Sequence, residues 1–376
     1  MKYRINSQRY SINDSLGASA LVVGFAKKIT IDEILSNFKD IRKIVPILNS
    51  CLRKKENIYY FDEDCAGYDY QIEDCSSVNP WLLKQYKLPL DLDNGEYLRI
   101  ALSNDNTLII YAHNIVSDSR GLVNFAKALL LGTKDFDFEY CEDIENKTNF
   151  LNMLSTNKYK KLKPTKALCN EIDKVKIKKV TLKSEIAFAI CGSQGVSLLS
   201  FFVTVALSLS KVTRRSIVIP FCSKKQDNII LVNESSNIKF KRGLEPRLSF
   251  YENCTEIDKL FKSFLKRKPF LLRNEILNKI SPSVIDKPFE NEVYNKFLTS
   301  ELFFDVLPTI TEDEILTNLS YYPSSSFCSN SFGISVIDDK VTICSIIHNK
   351  EGEDLFAAYQ QTINLLAKNA DFLNKK

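Results

Sequence analysis

The stretch "LIIYAHNIVSDSRGL" (residues 108–122) carries an apolar segment into one of two histidines in the chain, with an aspartate five residues later. Upstream, "LRIALSN" (98–104) and the polar turn "DNT" (105–107) lead into "LIIYAH", a spacing that predicts a β-hairpin. Its second strand is almost continuously apolar and is expected to be covered on both faces. Downstream, "GLVNFAKALLLG" (121–132) has helical periodicity and a stop at Gly132. The histidine therefore stands where a buried strand gives way to a helix.

Working outward, "SALVVGFAKKITIDEILSNFKDIRKIVPILNSCLRKKENIYYF" (19–61) predicts a strand over 20–25 and then a helix. Thr30 and Glu33 have the spacing of a capping box, and Ile31, Ile34, Leu35, Phe38, Ile41 and Val45 form one apolar stripe. Pro46 closes the helix, and "ILNSCLR" and "NIYYF" read as two strands. Residues 133–178 are charged, Asn- and Lys-rich and broken by Pro164, which marks a connector.

The second half repeats the style of the first. Residues 182–212 predict two helices parted by Gly192 and Gly195, with Ser197 as cap of the second. "SIVIPF" (216–221), "NIILV" (228–232) and "ELFFDVLPTI" (301–310) read as strands, and residues 255–280 as a basic helix. Residues 331–347 read as a hairpin turning at Asp338-Asp339-Lys340, and an amphipathic helix over 352–369 follows. Strands in both halves need long helices to cover them, so the expected class is α/β: two lobes, each a mixed sheet covered by helices, with a cleft between them. The lobes are expected at 1–175 and 176–376.

Composition bounds the function. The chain has 376 residues, 44% hydrophobic and 26% charged, enough for two cores. The N-terminus has no apolar signal-like region, and the most apolar stretch, 195–210, is shorter than the roughly 20 residues of a membrane span, so no span is expected. Ten cysteines at wide spacing with no CxxC pair, and two histidines, argue against a metal site and for reduced thiols in a cytoplasmic protein. A net charge of +5 and the lack of a glycine-rich phosphate loop argue against nucleic acid and nucleotides. Lysine clusters at 157–166, 173–183 and 262–268 suit an acidic partner.

The order of elements and the text around His113 resemble the acyltransferases of the chloramphenicol acetyltransferase fold, a group that includes condensation domains, alcohol acetyltransferases and wax-ester synthases. "IVPILNSCLRKKENIYYF", "YLRIALSNDNTLIIYAHNIVSDSRGLVNFAKALL", "GVSLLSFFVTVALSLSKV" and "FGISVIDDKVTICSI" are similar to family segments in the same order. The resemblance implies a pseudo-dimer of two such lobes and acyl transfer from a thioester to a small-molecule alcohol or amine. The donor would be acyl-coenzyme A or an acyl-carrier protein, the latter an acidic partner, with no permanently bound cofactor.

The family signature, HHxxxDG, places a general-base histidine second. Here His113 takes the first slot, Asn114 the second, Asp118 the Asp slot, and Ser119 replaces Gly. Neighbouring strand residues face opposite ways, so His113 cannot stand in for Asn114 by a small rotation, although a bulge would re-aim it. An amide does not titrate near neutrality and cannot take the acceptor's proton. The resemblance implies a structural Asp118 paired with an arginine, for which Arg4, Arg9 and Arg99 are candidates. A non-catalytic binding or recruitment module is the other reading. His348 is expected at the surface, and "PSSSFCSNS" (323–331) as a polar loop able to offer hydroxyl or amide donors.

Overall fold

The computed structural model describes residues 2–4, 17–55, 58–138, 175–209, 215–222, 229–231, 235–267, 300–310, 315–324 and 328–373. In chain order its strands are β1 (Lys2–Arg4), β2 (Ala18–Phe25), β3 (Cys51–Lys55), β4 (Ile58–Asp62), β5 (Ile72–Cys75), β6 (Leu98–Ser103), β7 (Thr107–His113), β8 (Lys176–Lys183), β9 (Arg215–Cys222), β10 (Ser235–Arg242), β11 (Ser300–Val306), β12 (Leu316–Tyr322), β13 (Cys328–Ile337) and β14 (Lys340–Ile347). The helices are α1 (Ile31–Ile44), α2 (Val78–Lys87), α3 (Ser119–Leu131), α4 (Ser184–Gln194), α5 (Leu198–Ser208), α6 (Phe250–Arg267) and α7 (Lys350–Leu373).

The first lobe is built on a five-stranded sheet in the order β12-β2-β7-β6-β5. All eight residues of β2 are buried, as are six of the seven in β7, because helices or the second lobe cover both faces. On one face α1 presents Ile34, Phe38 and Ile41, and α3 adds Leu122, Phe125 and Leu129. The capping box at the start of α1 is complete: the Glu33 N–H donates to Thr30 Oγ1 at 3.2 Å, and the Thr30 N–H donates to Glu33 Oε2 at 2.8 Å. On the other face α2, which the sequence reading passed over, buries Trp81, Leu82 and Tyr86. A small sheet, β1-β4-β3, lies beside this lobe.

Three local expectations change here. Pro46–Asn49 forms a 3-10 turn, since Pro46 pre-sets the helical φ, and the strand predicted over 47–53 begins at Cys51. Cys51 and Cys65 are joined in a disulfide, against the reading of uniformly reduced cysteines; Cys75, Cys191, Cys254, Cys328 and Cys344 are buried thiols. The connector expected to run to 178 gives way at Lys176 to β8, a sheet-edge strand whose four lysines are exposed while Val180 and Leu182 are buried. The lysine cluster at 157–166 lies outside the described residues.

The second lobe is a six-stranded sheet, β10-β9-β11-β13-β14-β8, with β9, β11 and β13 parallel and the other pairs antiparallel. Helices α5, α6 and α7 supply Phe201, Phe202, Ile257, Phe356 and Tyr359 to its core. Ser197 caps α5 as expected, accepting from the Ser200 N–H. The β13–β14 turn is at Asp338-Asp339, with Lys340 already paired to Ile337. Of the strand expected over 228–232, the described part, residues 229–231, makes one bridge, between Ile229 and Asp137. Helix α6 begins at Phe250, ahead of the expected 255. Among the described residues no helix is long and apolar enough to cross a membrane.

The lobes are interlocked. Strand β12 comes from the second half of the chain but pairs with β2, completing the sheet of the first lobe. A core of Ala18, Val22, Tyr86, Tyr111 and Val175 continues into Tyr322, Cys344 and Ile346 of the second half.

Candidate functional site

The site begins where β7 ends. Its pairing with β2 runs in unbroken register from Thr107 to His113, with Ala18 opposite His113, so no bulge re-aims the histidine. The His113 N–H donates to Tyr97 O and the Asn114 N–H to Gly17 O, both at 2.9 Å, which fixes the strand end from both sides. A turn over 114–116, closed by the Val116 N–H to His113 O at 3.1 Å, then buries Ile115 and Val116 among Ile47, Phe61 and Tyr97.

His113 is 4% exposed. Its Nδ1 accepts the Ile115 N–H at 3.2 Å, so the neutral ring carries its proton on Nε2. Neither nitrogen of that tautomer is a base aimed at a substrate. Asn114 is half-buried instead, and its Oδ1 accepts from the Ser19 hydroxyl at 2.8 Å.

Ser19 draws the second half of the chain to this point. Its Oγ accepts the Ser324 N–H at 3.0 Å and the Tyr321 hydroxyl at 3.3 Å. Tyr321, on β12, stands near Asp305, on β11, and Ser119 donates to Asp305 Oδ1 at 3.3 Å. A polar chain thus runs Asn114–Ser19–Tyr321, and the Ser119–Asp305 bond ties α3 to the second sheet beside it. Burial pushes the Asp305 carboxyl up to about 7, and the Asp118 carboxylate adds to the rise. The nearby Tyr321 phenol, the hydrogen bond from Ser119 and the charge of Arg120 oppose it. Burial, with the nearby Asp305, raises the Tyr321 phenol well above its ordinary value.

Asp118 is the N-cap of α3 and accepts the Gly121 N–H at 3.0 Å, a role that explains an acid at this slot independently of chemistry. Arg99 is not its partner. The guanidinium grips Glu96, with Nε to Oε1 at 2.7 Å and Nη2 to Oε2 at 2.8 Å, and also reaches the Leu88 carbonyl. Burial alone would raise the Glu96 carboxyl; Arg99 and the Asp91 N–H outweigh it and hold it below the usual range. Arg9 and the Arg4 side chain lie outside the described residues.

His348 is buried, 5% exposed, rather than at the surface, because β14 runs on beneath the start of α7. Burial depresses its imidazole to about 4. The polar stretch 323–331 is partly strand: β13 takes it from Cys328, and Ser331 is fully buried. One backbone donor of that stretch, Ser324 N–H, does reach the site, through Ser19. Among the described residues no group of three His, Cys, Asp or Glu is placed to hold a metal ion.

The sequence reading brought His113, Asn114 and Asp118 to one strand–helix junction, and the junction exists. It missed Ser19 and Tyr321 and gave no role to Asp305. The available signal was Asp305 itself, one carboxyl in the apolar run "ELFFDVL", since a buried charged group is more informative than a buried apolar one.

No protein-family model and no curated protein matches the sequence. Solved structures do match. The first condensation domain of the calcium-dependent antibiotic synthetase superposes with a TM-score of 0.70 at 13% identity, over 98% of this chain and 96% of that one. A mutant starter condensation domain of rhizomide synthetase, in complex with C8-CoA, gives 0.70 at 11% identity over 99% and 95%. The epimerization domain from the third module of tyrocidine synthetase B gives 0.65 at 11% over 98% of each. Agreement over the whole length of both chains, with β12 joining the lobes, makes this the two-lobed, chloramphenicol acetyltransferase-like fold of the condensation domains.

Proposed function

We propose that this protein is an acyltransferase of the condensation or alcohol acetyltransferase type, with lobes 1–175 and 176–376, the second lending β12 to the sheet of the first. It moves an acyl group from a thioester to a small-molecule acceptor. The observation that carries the reading is Asn114: the residue in the general-base slot is half-buried at the junction of the two halves and held by Ser19. An amide there orients an acceptor by hydrogen bonding but takes no proton. The acceptor best served is an amine whose lone pair is already available, with rate enhancement drawn from positioning. Coenzyme A or an acidic carrier protein presents the thioester; the exposed Lys176, Lys178, Lys179 and Lys183 of β8 suit the acidic carrier. We assign the protein to the cytoplasm, where the five buried cysteines remain thiols and the Cys51–Cys65 bridge is the exception.

The test is Asn114→His. Restoring a base is expected to raise acyl transfer, or hydrolysis of an acyl-pantetheine thioester, by about a hundredfold, within the range of general-base contributions. One observation favours a second reading. The His113 Nδ1 is already occupied by a backbone N–H, which leaves the motif with no imidazole for chemistry. A folded Asn114→His protein with no gain in either activity overturns the enzymatic reading and selects a recruitment module.

A further inference from the structure

We propose that the outer edge of β8 binds an acidic, extended segment of a partner protein, which adds itself as a further strand to the six-stranded sheet. The proposal goes beyond acyl transfer and does not depend on it, since no thioester or acceptor enters it.

Strand β8 ends its sheet and pairs with β14 on one side only. Which of its backbone groups face outward follows from the β13–β14 hairpin. The turn at Asp338-Asp339, with Asp338 at a φ of 44°, leaves Ile337 opposite Lys340 as the closing pair, and such a pair exchanges both of its hydrogen bonds. Lys340 therefore spends its N–H and C=O on β13, and Val341 turns its own toward Leu182 of β8. The Ser184 N–H, which donates to Asp339 O at 2.7 Å, sets the same alternation two residues on. Leu182, Val180 and Lys178 thus bond to β14, while the N–H and C=O groups of Ile177, Lys179 and Thr181 point away from it. Among the described residues none of these outward groups has a hydrogen-bonding partner.

The strand is held firmly on its faces and open along its edge. Val180 and Leu182 share a core with Ala187 of α4 and Phe356 of α7, and Ile177 packs on the core that holds Trp81 and Leu82 of α2. Lys178, Lys179, Thr181 and Lys183 are exposed. Lys176 is ion-paired with Glu353, but Lys178, Lys179 and Lys183 form no ion pair among the described residues. Opposite them on β14 stand Ser345, Cys344 and Lys340, so the neighbouring strand supplies no negative charge.

Those charges select the occupant. A second β8 laid antiparallel on the first would set lysine against lysine, which is destabilising, so the edge is closed to another copy of the chain. A strand carrying Asp or Glu meets the same lysines as cross-strand ion pairs. A nucleic acid would satisfy the lysines but not the alternating N–H and C=O groups, which an added strand matches in full.

The probe is a fluorescein-labelled Thr-Glu repeat, as long as the eight residues of β8, added to the full-length protein. It is expected to bind and to slow hydrogen exchange at the Ile177, Lys179 and Thr181 amides about tenfold or more, with Lys178, Val180 and Leu182 little changed. The repeat N-methylated at every residue keeps its charge, loses its N–H groups and is expected not to bind. Lys178→Glu combined with Lys179→Glu is expected to weaken binding about tenfold, as two reversed cross-strand pairs would. Thr181→Pro removes one outward N–H, a change that an edge strand tolerates, and is expected to weaken the probe without altering the fold. Should that variant not fold, the N-methylated repeat puts the same question to the parent protein. No binding at about 1 mM probe overturns the proposal. Equal binding of the N-methylated repeat, or of a DNA duplex with no slowing at the outward amides, also overturns it, because charge alone is then at work. Outward amides already slow without probe, or slowed only as protein concentration rises, overturn it by showing that the chain itself or a second copy holds the edge. None of these outcomes bears on Asn114→His, so the two proposals fail separately.

Discussion

Asp305 has a consequence for the whole protein's stability that requires no substrate. Its folded carboxyl keeps its proton up to about pH 7, whereas its ordinary value is 3.8. Between those values the native state binds more protons than the unfolded chain, so stability falls as pH rises from about 4 to 7 and then levels off. Asp305→Asn removes this slope, since an amide is neutral throughout. The variant is expected to melt higher than the parent at pH 8, by the equivalent of a few kcal/mol, and to match it near pH 4. Thermal unfolding at the two pH values checks this, and equal differences at both would exclude it. This residue also shows where the sequence stopped being legible. His113, Asn114 and Asp118 are neighbours in the chain, and the strand–turn–helix around them can be read from local periodicity. Asp305 acquires its meaning from Ser119, 186 residues away, and from Tyr321 on a strand that pairs in the other lobe.

The same division holds among elements. Helix α1 and strands β6 and β7 were legible because their signals are local: a capping box, an apolar stripe, a polar turn between apolar runs. Strands β8 and β12 were not. "KIKKVTLK" is an edge strand with four exposed lysines, so it looks like a charged linker until the burial of Val180 and Leu182 is seen. "LTNLSYY" owes its burial to crossing from one lobe to the other. That crossing is itself a specific arrangement: Ser335 Oγ donates to the Leu319 carbonyl at 2.7 Å, and Gly333 lies beneath Tyr321. A Cβ on Gly333 would overlap the Tyr321 carbonyl oxygen and come within 2.8 Å of Pro323 Cδ. Backbone cannot yield as a side-chain tip can, so Gly333→Ala is expected to lift β12 and cost about 1–3 kcal/mol. Because Tyr321 moves with it, the Ser19–Tyr321 bond should break too. Chemical denaturation measures the first effect, and an unchanged midpoint would show that β12 does not press on β13 at that position.

At the scale of the molecule, the two lobes are separate in sequence order but not in folding. The five-stranded sheet is incomplete without β12, and the seam core mixes residues such as Ala20, Tyr86 and Tyr111 with Tyr322, Cys344 and Ile346. A first-half fragment would leave β2 as an edge strand of eight buried residues of which only Ser19 is polar. It would also expose the α2 face that packs on the seam. Dividing the chain after Lys160, within the charged connector, tests this interdependence. The first fragment expressed alone is expected to aggregate. The two fragments expressed together are expected to co-purify as a soluble complex, because β12 on the second supplies the missing strand and both halves of the seam core meet. Substituting Leu319, fully buried in β12, by Asp in the second fragment should abolish rescue of the first. A soluble, folded first fragment, or rescue that survives Leu319→Asp, would mean that β12 is an accessory to the sheet rather than its closing strand.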